Sequence, residues 1–219
     1  MKVGTDGVVL GAWAPLPEEG RVLDIGTGSS LMALMMAQRG RLLHVTGIDI
    51  DAEAVLQARE NVAASPFADR VAIDHLSLQE LMSDASQASA FDAIVCNPPF
   101  FESSLLPPDA QRALARHTTS LPFNELIHGA HLLLRSGGLF SVILPTDSFD
   151  EFRRLCFVES LYVKAAVLVQ TSARKTPKRV MACFVKDEIQ EATTDTLILT
   201  EAGTRSADYR RLTDDFYLY

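Results

Sequence analysis

The sequence predicts an α/β fold in which helices cover both faces of a mostly parallel β-sheet. Short apolar runs alternate with segments whose apolar residues recur at helical spacing. The runs are apolar almost throughout, as in strands that are buried on both sides. With 219 residues and neither an internal repeat nor a linker, the chain suits one domain. We therefore expect residues 1–219 to form a single domain.

Seven apolar runs are predicted to be strands. The last two have no clear helix between them, so we expect a hairpin there and an antiparallel strand at the edge of a seven-stranded sheet. The predicted strands span residues 21–25, 43–48, 71–73, 91–96, 139–144, 161–169 and 179–185.

Four of the intervening segments are predicted to be helices. Asp51 is a suitable cap for the second, and Gly137 and Gly138 are expected to stop the third. Residues 83–90 are small and polar and are predicted to form a loop. The predicted helices span residues 29–39, 51–64, 123–134 and 149–156.

Composition and charge argue against general nucleic-acid binders, membrane-spanning proteins and secreted proteins. A net charge of −8 argues against loose binding to nucleic acid, so any such contact must come from a local basic patch. No apolar run reaches membrane-spanning length, and the first residues lack a secretory signal. Cys96, Cys156 and Cys183 fit neither a disulfide framework nor a zinc spacing. We expect a cytoplasmic monomer without a metal or a membrane anchor.

The turn after the first strand predicts a nucleotide-binding site. Gly26 and Gly28 allow a sharp turn and a close approach of the backbone to a ligand. Asp49, about twenty residues further on, can accept both hydroxyls of a ribose. NAD and S-adenosylmethionine both suit this arrangement, and Asp24 before the first glycine favours S-adenosylmethionine, because an acid there lies near the cofactor amine.

Asn97-Pro98-Pro99-Phe100 follows the fourth strand directly. An exocyclic amine on an aromatic ring is a poor nucleophile, because its lone pair is delocalised. The side-chain oxygen of Asn97 and the main-chain oxygen of Pro98 can accept its two N–H groups and direct the lone pair at a methyl donor. Pro98 and Pro99 restrict the backbone, and Phe100 can stack on the ring. We expect these four residues to be the catalytic group of a methyltransferase.

Two basic regions are candidates for contacts with phosphates. The denser one lies between the last two predicted strands, and the other follows the catalytic motif. The candidate residues are Arg174, Lys175, Lys178 and Arg179 in the first region, and Arg112 and Arg116 in the second.

The chain resembles the class I methyltransferases of the Asn-Pro-Pro-Tyr/Phe type, which share a Rossmann-like fold. More narrowly, it resembles the bacterial valine-tRNA adenine-N6 methyltransferases, which modify adenine 37 beside the anticodon. The similar segments are residues 1–13 (MKVGTDGVVLGAW), residues 111–119 (QRALARHTT) and residues 209–218 (YRRLTDDFYL).

The resemblance implies S-adenosyl-L-methionine as the methyl donor and a tRNA anticodon loop as the substrate. It places Thr5 and Asp6 near the methionine end of the cofactor and assigns Asp24, Gly26, Gly28, Asp49 and Asn97 to the cofactor site as well. Ser77 stands where an aspartate commonly contacts the cofactor adenine, and its hydroxyl can still accept a hydrogen bond.

The chain also departs from the family pattern at two other places. An aromatic and basic segment usually precedes the Met-Lys-Val-Gly stretch, so we expect that this family leader is missing here. The glycine turn reads Ser29-Ser30 where Ser-Gly is usual, which is tolerated if the backbone there is helical.

Three alternatives remain open. A protein-glutamine methyltransferase would use the same Asn-Pro-Pro chemistry on a side-chain amide. A non-catalytic module that binds the cofactor or RNA would keep the fold without the reaction. An NAD-dependent oxidoreductase would leave the Asn-Pro-Pro motif without a role.

Overall fold

A computed structural model describes residues 4–98, 121–186 and 191–217. The strands are β1 (Glu19–Ile25), β2 (Leu42–Asp49), β3 (Val71–His75), β4 (Phe91–Cys96), β5 (Leu134–Pro145), β6 (Tyr162–Gln170), β7 (Arg179–Val185), β8 (Thr193–Ile198), β9 (Thr200–Glu201) and β10 (Thr204–Arg205). The helices are α1 (Thr5–Trp13), α2 (Leu31–Arg39), α3 (Ala52–Ala63), α4 (Leu78–Ser83), α5 (Phe123–Leu133), α6 (Thr146–Val158) and α7 (Ala207–Thr213).

The main sheet has eight strands in the order β3-β2-β1-β4-β5-β7-β6-β8. Strands β1 to β5 run parallel to one another, and β6 and β7 form the predicted hairpin. The predicted fold class is therefore confirmed. The antiparallel strand, β7, lies inside the sheet between β5 and β6, and the edge strand is β8, which runs parallel to β6.

Strand β8 is an additional, eighth strand of the main sheet, and the apolar pattern did not predict it. Its sequence, TTDTLI, is mostly polar, and its first four residues are exposed. Threonine suits an exposed edge strand because its β-branched side chain favours extended backbone. The search for apolar runs therefore does not detect an exposed, polar edge strand such as β8.

The sequence predicted that Gly137 and Gly138 would stop a helix, and this prediction was wrong. Helix α5 ends at Leu133, and both glycines lie within β5. Gly137 has a φ of 71°, and the pairing of β4 with β5 changes register between Phe91 and Ala93. Glycine in a strand often marks such an irregularity, so here it bends the start of β5.

The core forms two apolar layers, one on each face of the sheet. The first is built with α1, α2, α3 and α7, and it contains Val9, Met36 and Val55. The second is built with α4, α5 and α6, and it contains Leu126 and an aromatic group around Phe152. These layers hold the sheet so that the ends of β1, β2, β3 and β4 meet at one edge.

No helix among residues 4–98, 121–186 and 191–217 is long and apolar enough to cross a membrane. That part of the chain also contains no group of three or more metal-ligating side chains. Its three cysteines are free and buried.

Candidate active site

A cavity of about 560 Å³ opens at the carboxyl edge of the sheet. The order of the strands reverses between β1 and β4, and open α/β sheets bind ligands at such a point. The volume is typical of a site for a small molecule. The lining includes Gly26 and Gly28 after β1, Asp49 at the end of β2, Ser77 and Gln79 after β3, and Asn97 and Pro98 after β4.

The turn after β1 presents its main chain to the cavity. Gly26 and Gly28 have φ angles of 70° and 57°, in the left-handed region that glycine adopts without strain. A Cβ added at Gly26 would meet no atom within 4 Å. The backbone is therefore accessible to a ligand at this point.

Ser30 follows this turn in a conformation that the sequence did not predict. The expectation was a helical backbone, but Ser30 precedes α2 with φ 64° and ψ 17°, which is left-handed. Its side chain is completely buried, and its hydroxyl donates to the Ala58 carbonyl at 3.4 Å. A non-glycine residue is strained in this region, so this departure from the family pattern stores strain beside the cavity.

Asp49 is fixed at the end of β2 by two main-chain donors. The N–H of Gly28 donates to Oδ2 at 2.9 Å, and the N–H of Asp51 donates to Oδ1 at 3.0 Å. Each carboxylate oxygen has two acceptor positions, so both oxygens can accept one more donor. The arrangement suits two neighbouring hydroxyl groups, which is the role predicted for this residue.

Asp24 lies beneath the glycine turn and is completely buried. Its Oδ2 accepts hydrogen bonds from the Thr27 hydroxyl at 2.7 Å and the Ala33 N–H at 3.2 Å, whereas Oδ1 has no partner within the described residues. Burial raises the pKa of Asp24 to about 7, against the lowering effect of these hydrogen bonds. Burial thus favours the protonated form of Asp24.

Asn97 and Pro98 stand at the end of β4, in the middle of the sheet. Asn97 is partly buried and Pro98 is buried, and both line the cavity. A Cβ added at Gly7 would lie 3.8 Å from Asn97 Nδ2, so the start of α1 lies beside Asn97. The other predicted members of this region, Pro99, Phe100, Arg112 and Arg116, lie outside the described residues.

Cys96 precedes Asn97 and also lines the cavity. Burial raises the pKa of its thiol well above the usual value, and the charges of Asp24 and Asp49 raise it further. The nucleophilic form of cysteine is the thiolate. The thiol therefore stays protonated at neutral pH and is unsuited to nucleophilic catalysis.

Ser77 lines the cavity but uses its polar groups within its own helix. Its hydroxyl donates to Glu80 Oε2 at 2.6 Å and accepts from the Glu80 N–H at 3.2 Å, while the Ser77 N–H donates to the same carboxylate oxygen. This is a capping box at the start of α4. The hydroxyl that was predicted to contact a cofactor is therefore engaged in a helix cap.

Asp6 and Arg179 were predicted to have separate roles, in the cofactor site and in RNA binding. The structure pairs them, with Arg179 Nε donating to Asp6 Oδ2 at 2.9 Å. This ion pair connects the start of α1 to the first residue of β7. Thr5, at the start of α1, is exposed, and neither Thr5 nor Asp6 is part of the described cavity lining.

The basic loop between β6 and β7 lies at the carboxyl edge, as does the cavity. Arg174, Lys175 and Lys178 are exposed there. The loop is attached to the start of α6, because the Thr146 hydroxyl donates to the Pro177 carbonyl at 3.2 Å. Three positive charges thus stand on the same edge as Asn97.

Gln79 is a cavity residue that the sequence analysis missed. Its Nε2 donates to Glu125 Oε2, on the first turn of α5. Helix α4 was not predicted, although Ser77 and Glu80 carry the Ser-x-x-Glu pattern of a capping box. That pattern would have located α4 and hence placed Gln79 in the first turn of the helix that follows β3.

Comparison with known proteins identifies the family. The model of the methyltransferase small domain matches residues 9–149. The tRNA1(Val) (adenine(37)-N6)-methyltransferase of Bacteroides fragilis is 40% identical over 222 residues, which cover 100% of this chain and 91% of the relative. The chain belongs to this methyltransferase family. The protein of the same name from Porphyromonas gingivalis is 44% identical over 230 residues, covering 99% of this chain and 89% of the relative.

Solved structures confirm the fold of this methyltransferase. A predicted O-methyltransferase from Agrobacterium tumefaciens matches with a TM-score of 0.77 at 18% identity, over 98% of both chains. A TehB-like SAM-dependent methyltransferase from Corynebacterium glutamicum matches with a TM-score of 0.54 at 17% identity, over 84% of this chain and 89% of that one. At these identities the likeness shows the fold alone. The chemistry has to be argued from the site.

Proposed function

We propose that this methyltransferase transfers a methyl group from S-adenosylmethionine to the N6 amine of adenine 37 in the anticodon loop of a valine tRNA. It acts as a single domain and a monomer in the cytoplasm. The observation that carries the proposal is the position of Asn97 and Pro98, which face the same cavity as Asp49. The activity for which the relatives from Bacteroides fragilis and Porphyromonas gingivalis are named supports adenine 37 of a valine tRNA as the substrate.

The cavity residues fit S-adenosylmethionine. Asp49 offers its carboxylate to the ribose hydroxyls, and the main chain at Gly26 and Gly28 admits a close ligand. Following the family resemblance, we assign Asp24 to the ammonium group of the cofactor and Thr5 and Asp6 to its methionine end, although none of the three belongs to the described cavity lining. When bound, the cofactor supplies an electrophilic methyl group on a sulfonium.

Asn97 and Pro98 prepare the substrate nitrogen. The Asn97 side-chain oxygen and the Pro98 carbonyl each accept one N–H of the adenine amine, which turns its lone pair towards the methyl group. Because the Asn97 backbone ends a strand that is paired on both sides, these acceptors are held in place before the substrate arrives. We assign Pro99 to restricting the backbone and Phe100 to stacking on the base, as the sequence predicted; both lie outside the described residues. The surplus proton leaves to water after transfer, so no strong base is required.

The basic loop provides contacts for the tRNA backbone. We assign Arg174, Lys175 and Lys178 to phosphates, together with Arg112 and Arg116, whereas Arg179 contributes chiefly through its pair with Asp6. Lys178→Ala should raise KM for tRNA and reduce the slope of log affinity against log salt by about 0.7–0.9. Arg41→Ala, at the opposite edge of the sheet, is the matched control and should change neither. An equal effect of both variants would contradict the assignment.

Methylation of tRNA from a strain lacking this protein tests the proposal. We expect mass spectrometry to find one new N6-methyladenosine, at position 37 of a valine tRNA, only when active enzyme and S-adenosylmethionine are both present. Transfer of the label to a glutamine side chain of a protein would instead support the glutamine-methyltransferase alternative. Cofactor binding without transfer to either substrate would support a non-catalytic module.

A further inference from the structure

The wall of the cavity after β3 carries a polar side chain that the proposed function leaves without a role. This side chain is Gln79, the second residue of α4, which is exposed and lines the cavity. Its neighbours on this wall, Leu76 and Leu78, are apolar. The wall is therefore an apolar surface with one amide at its rim, which suits the flat face and polar edge of a purine.

Glu125 determines which way the Gln79 amide points. Gln79 Nε2 and Glu125 Oε2 are directly hydrogen bonded. An ionised carboxylate only accepts hydrogen bonds, so the amide must present its NH₂ group to Glu125. The carbonyl oxygen, Oε1, then lies on the opposite side of the amide and is held as an acceptor.

Polar side chains near this wall are engaged in helix caps, the Ser77 hydroxyl as both donor and acceptor and the Asp51 carboxylate through one of its two oxygens. The Ser77 hydroxyl belongs to the capping box with Glu80. One oxygen of the Asp51 carboxylate accepts from Glu53 N–H and Ala54 N–H at the start of α3. Gln79 Oε1 thus remains the side-chain acceptor of the described β3 wall without a donor of its own.

We propose that Gln79, oriented by Glu125, accepts a hydrogen bond from the exocyclic amine of the cofactor's adenine and so makes the site prefer adenosine to inosine. The inference rests on the proposed use of S-adenosylmethionine. Adenine carries an amine donor at C6, whereas hypoxanthine carries a carbonyl oxygen there. Two facing acceptors repel each other, and Glu125 opposes the rotation of the amide that would relieve the repulsion.

Calorimetric binding of two product analogues tests the proposal without any methyl transfer. The ligands are S-adenosylhomocysteine and S-inosylhomocysteine, which differ only at the C6 group and its ring proton. We expect the wild-type protein to bind the adenosyl compound about tenfold more tightly, as one correctly paired hydrogen bond allows. Gln79→Ala should reduce this ratio to about two, and Glu125→Ala should reduce it as well, because the amide can then turn.

A control variant separates this role from general damage to the site. Gln38→Ala should keep the tenfold preference, since Gln38 lies at the far end of α2. A preference that survives in Gln79→Ala, or disappears in Gln38→Ala instead, would overturn the inference while leaving the cofactor assignment intact. Failure of the wild-type protein to bind S-adenosylhomocysteine would overturn the cofactor assignment itself.

Discussion

The two edges of the sheet are built differently. At the amino edge, basic side chains donate to main-chain carbonyls where helices end and strands begin. Charged hydrogen bonds of this kind satisfy the carbonyls that a helix leaves unpaired at its end. Arg39 donates to the carbonyls of Gly11 and Ala14, Arg70 to those of Ala37, Gly40 and Leu43, and Lys186 to those of His131 and Leu134.

At the carboxyl edge, several groups are held at a cost to stability. Ser30 has a left-handed backbone, and the buried Asp24 carboxyl has an oxygen without a partner among the described residues. The adjoining cavity leaves Asn97 accessible. Proteins tolerate such strain and unpaired polarity at functional sites when the rest of the fold compensates. We infer that the amino edge supplies stability and that the carboxyl edge supplies binding and chemistry.

Asn97→Ala should have the largest effect, and it should reduce the chemistry of the carboxyl edge without reducing the stability of the fold. Loss of a positioned acceptor for the reacting amine should reduce kcat by about 10²–10³, while the melting temperature and the affinity for S-adenosylhomocysteine stay close to wild type. Asn61→Ala is the control, because Asn61 is exposed on α3 and donates to the Ser29 carbonyl. Wild-type turnover by Asn97→Ala would reject the mechanism.

Asp24→Asn should change how stability depends on pH. The pKa of Asp24 rises from its ordinary value of 3.8 to about 7 in the folded protein, so between these values the folded state binds more protons than the unfolded state. Stability from this group is therefore complete below about pH 4 and is lost as pH rises through 7. Asparagine resembles the protonated form and removes this dependence.

Chemical denaturation of the protein without cofactor, at pH 5 and pH 8, measures this difference. Because wild type has already lost part of this stability at pH 5, we expect Asp24→Asn to be more stable than wild type by about 1–2 kcal/mol at pH 5 and by about 4 kcal/mol at pH 8. Equal losses in both proteins between the two pH values would show that another group is responsible.

Arg70→Met should lower stability without affecting the chemistry. Methionine keeps an apolar stem but removes the donors to three carbonyls, so the free energy of unfolding should fall by about 2 kcal/mol. Turnover per folded molecule should remain unchanged. Arg41→Met, an exposed change at the same edge, should alter stability by less than about 0.5 kcal/mol. A loss of turnover in Arg70→Met at a temperature where it is folded would contradict the separation of the edges.

The smallest expected effect concerns the backbone strain at Ser30. Ser30→Gly should be more stable than Ser30→Ala by about 1 kcal/mol, because both lose the hydroxyl but only glycine relaxes the left-handed backbone. The same pair at Ser29, where φ is not positive, should show no advantage for glycine. Denaturant titration of the four variants gives the comparison. An equal difference at the two positions would show that strain at Ser30 is not its source.

The sequence predicted the parts of the molecule that depend on local pattern. Buried parallel strands are continuous apolar runs, so β1, β2, β4 and the β6–β7 hairpin were located, and with them the turn at Gly26 and the end of β4 at Asn97. Strand β8 was missed because its exposed threonines carry no apolar period. Gly137 and Gly138 were wrongly predicted to end a helix because glycine is common both at helix ends and at irregularities in strands.

Pairings between distant residues could not be read from the sequence. Asp6 and Arg179 are separated by 173 positions, and Gln79 and Glu125 by 46. Their contacts depend on how the helices pack against the sheet, which local pattern does not specify. The type of group needed at the cavity was therefore predictable, whereas the orientation and the partners of each side chain required the structure.

Transfer of an isotopically labelled methyl group to a transcribed valine tRNA tests the central claim most directly. The comparison transcript carries guanine in place of adenine 37 and is otherwise identical. The account predicts label in the first transcript, recovered as N6-methyladenosine, and none in the second. Equal labelling of both transcripts, or label on neither with a protein that binds S-adenosylmethionine, would contradict it.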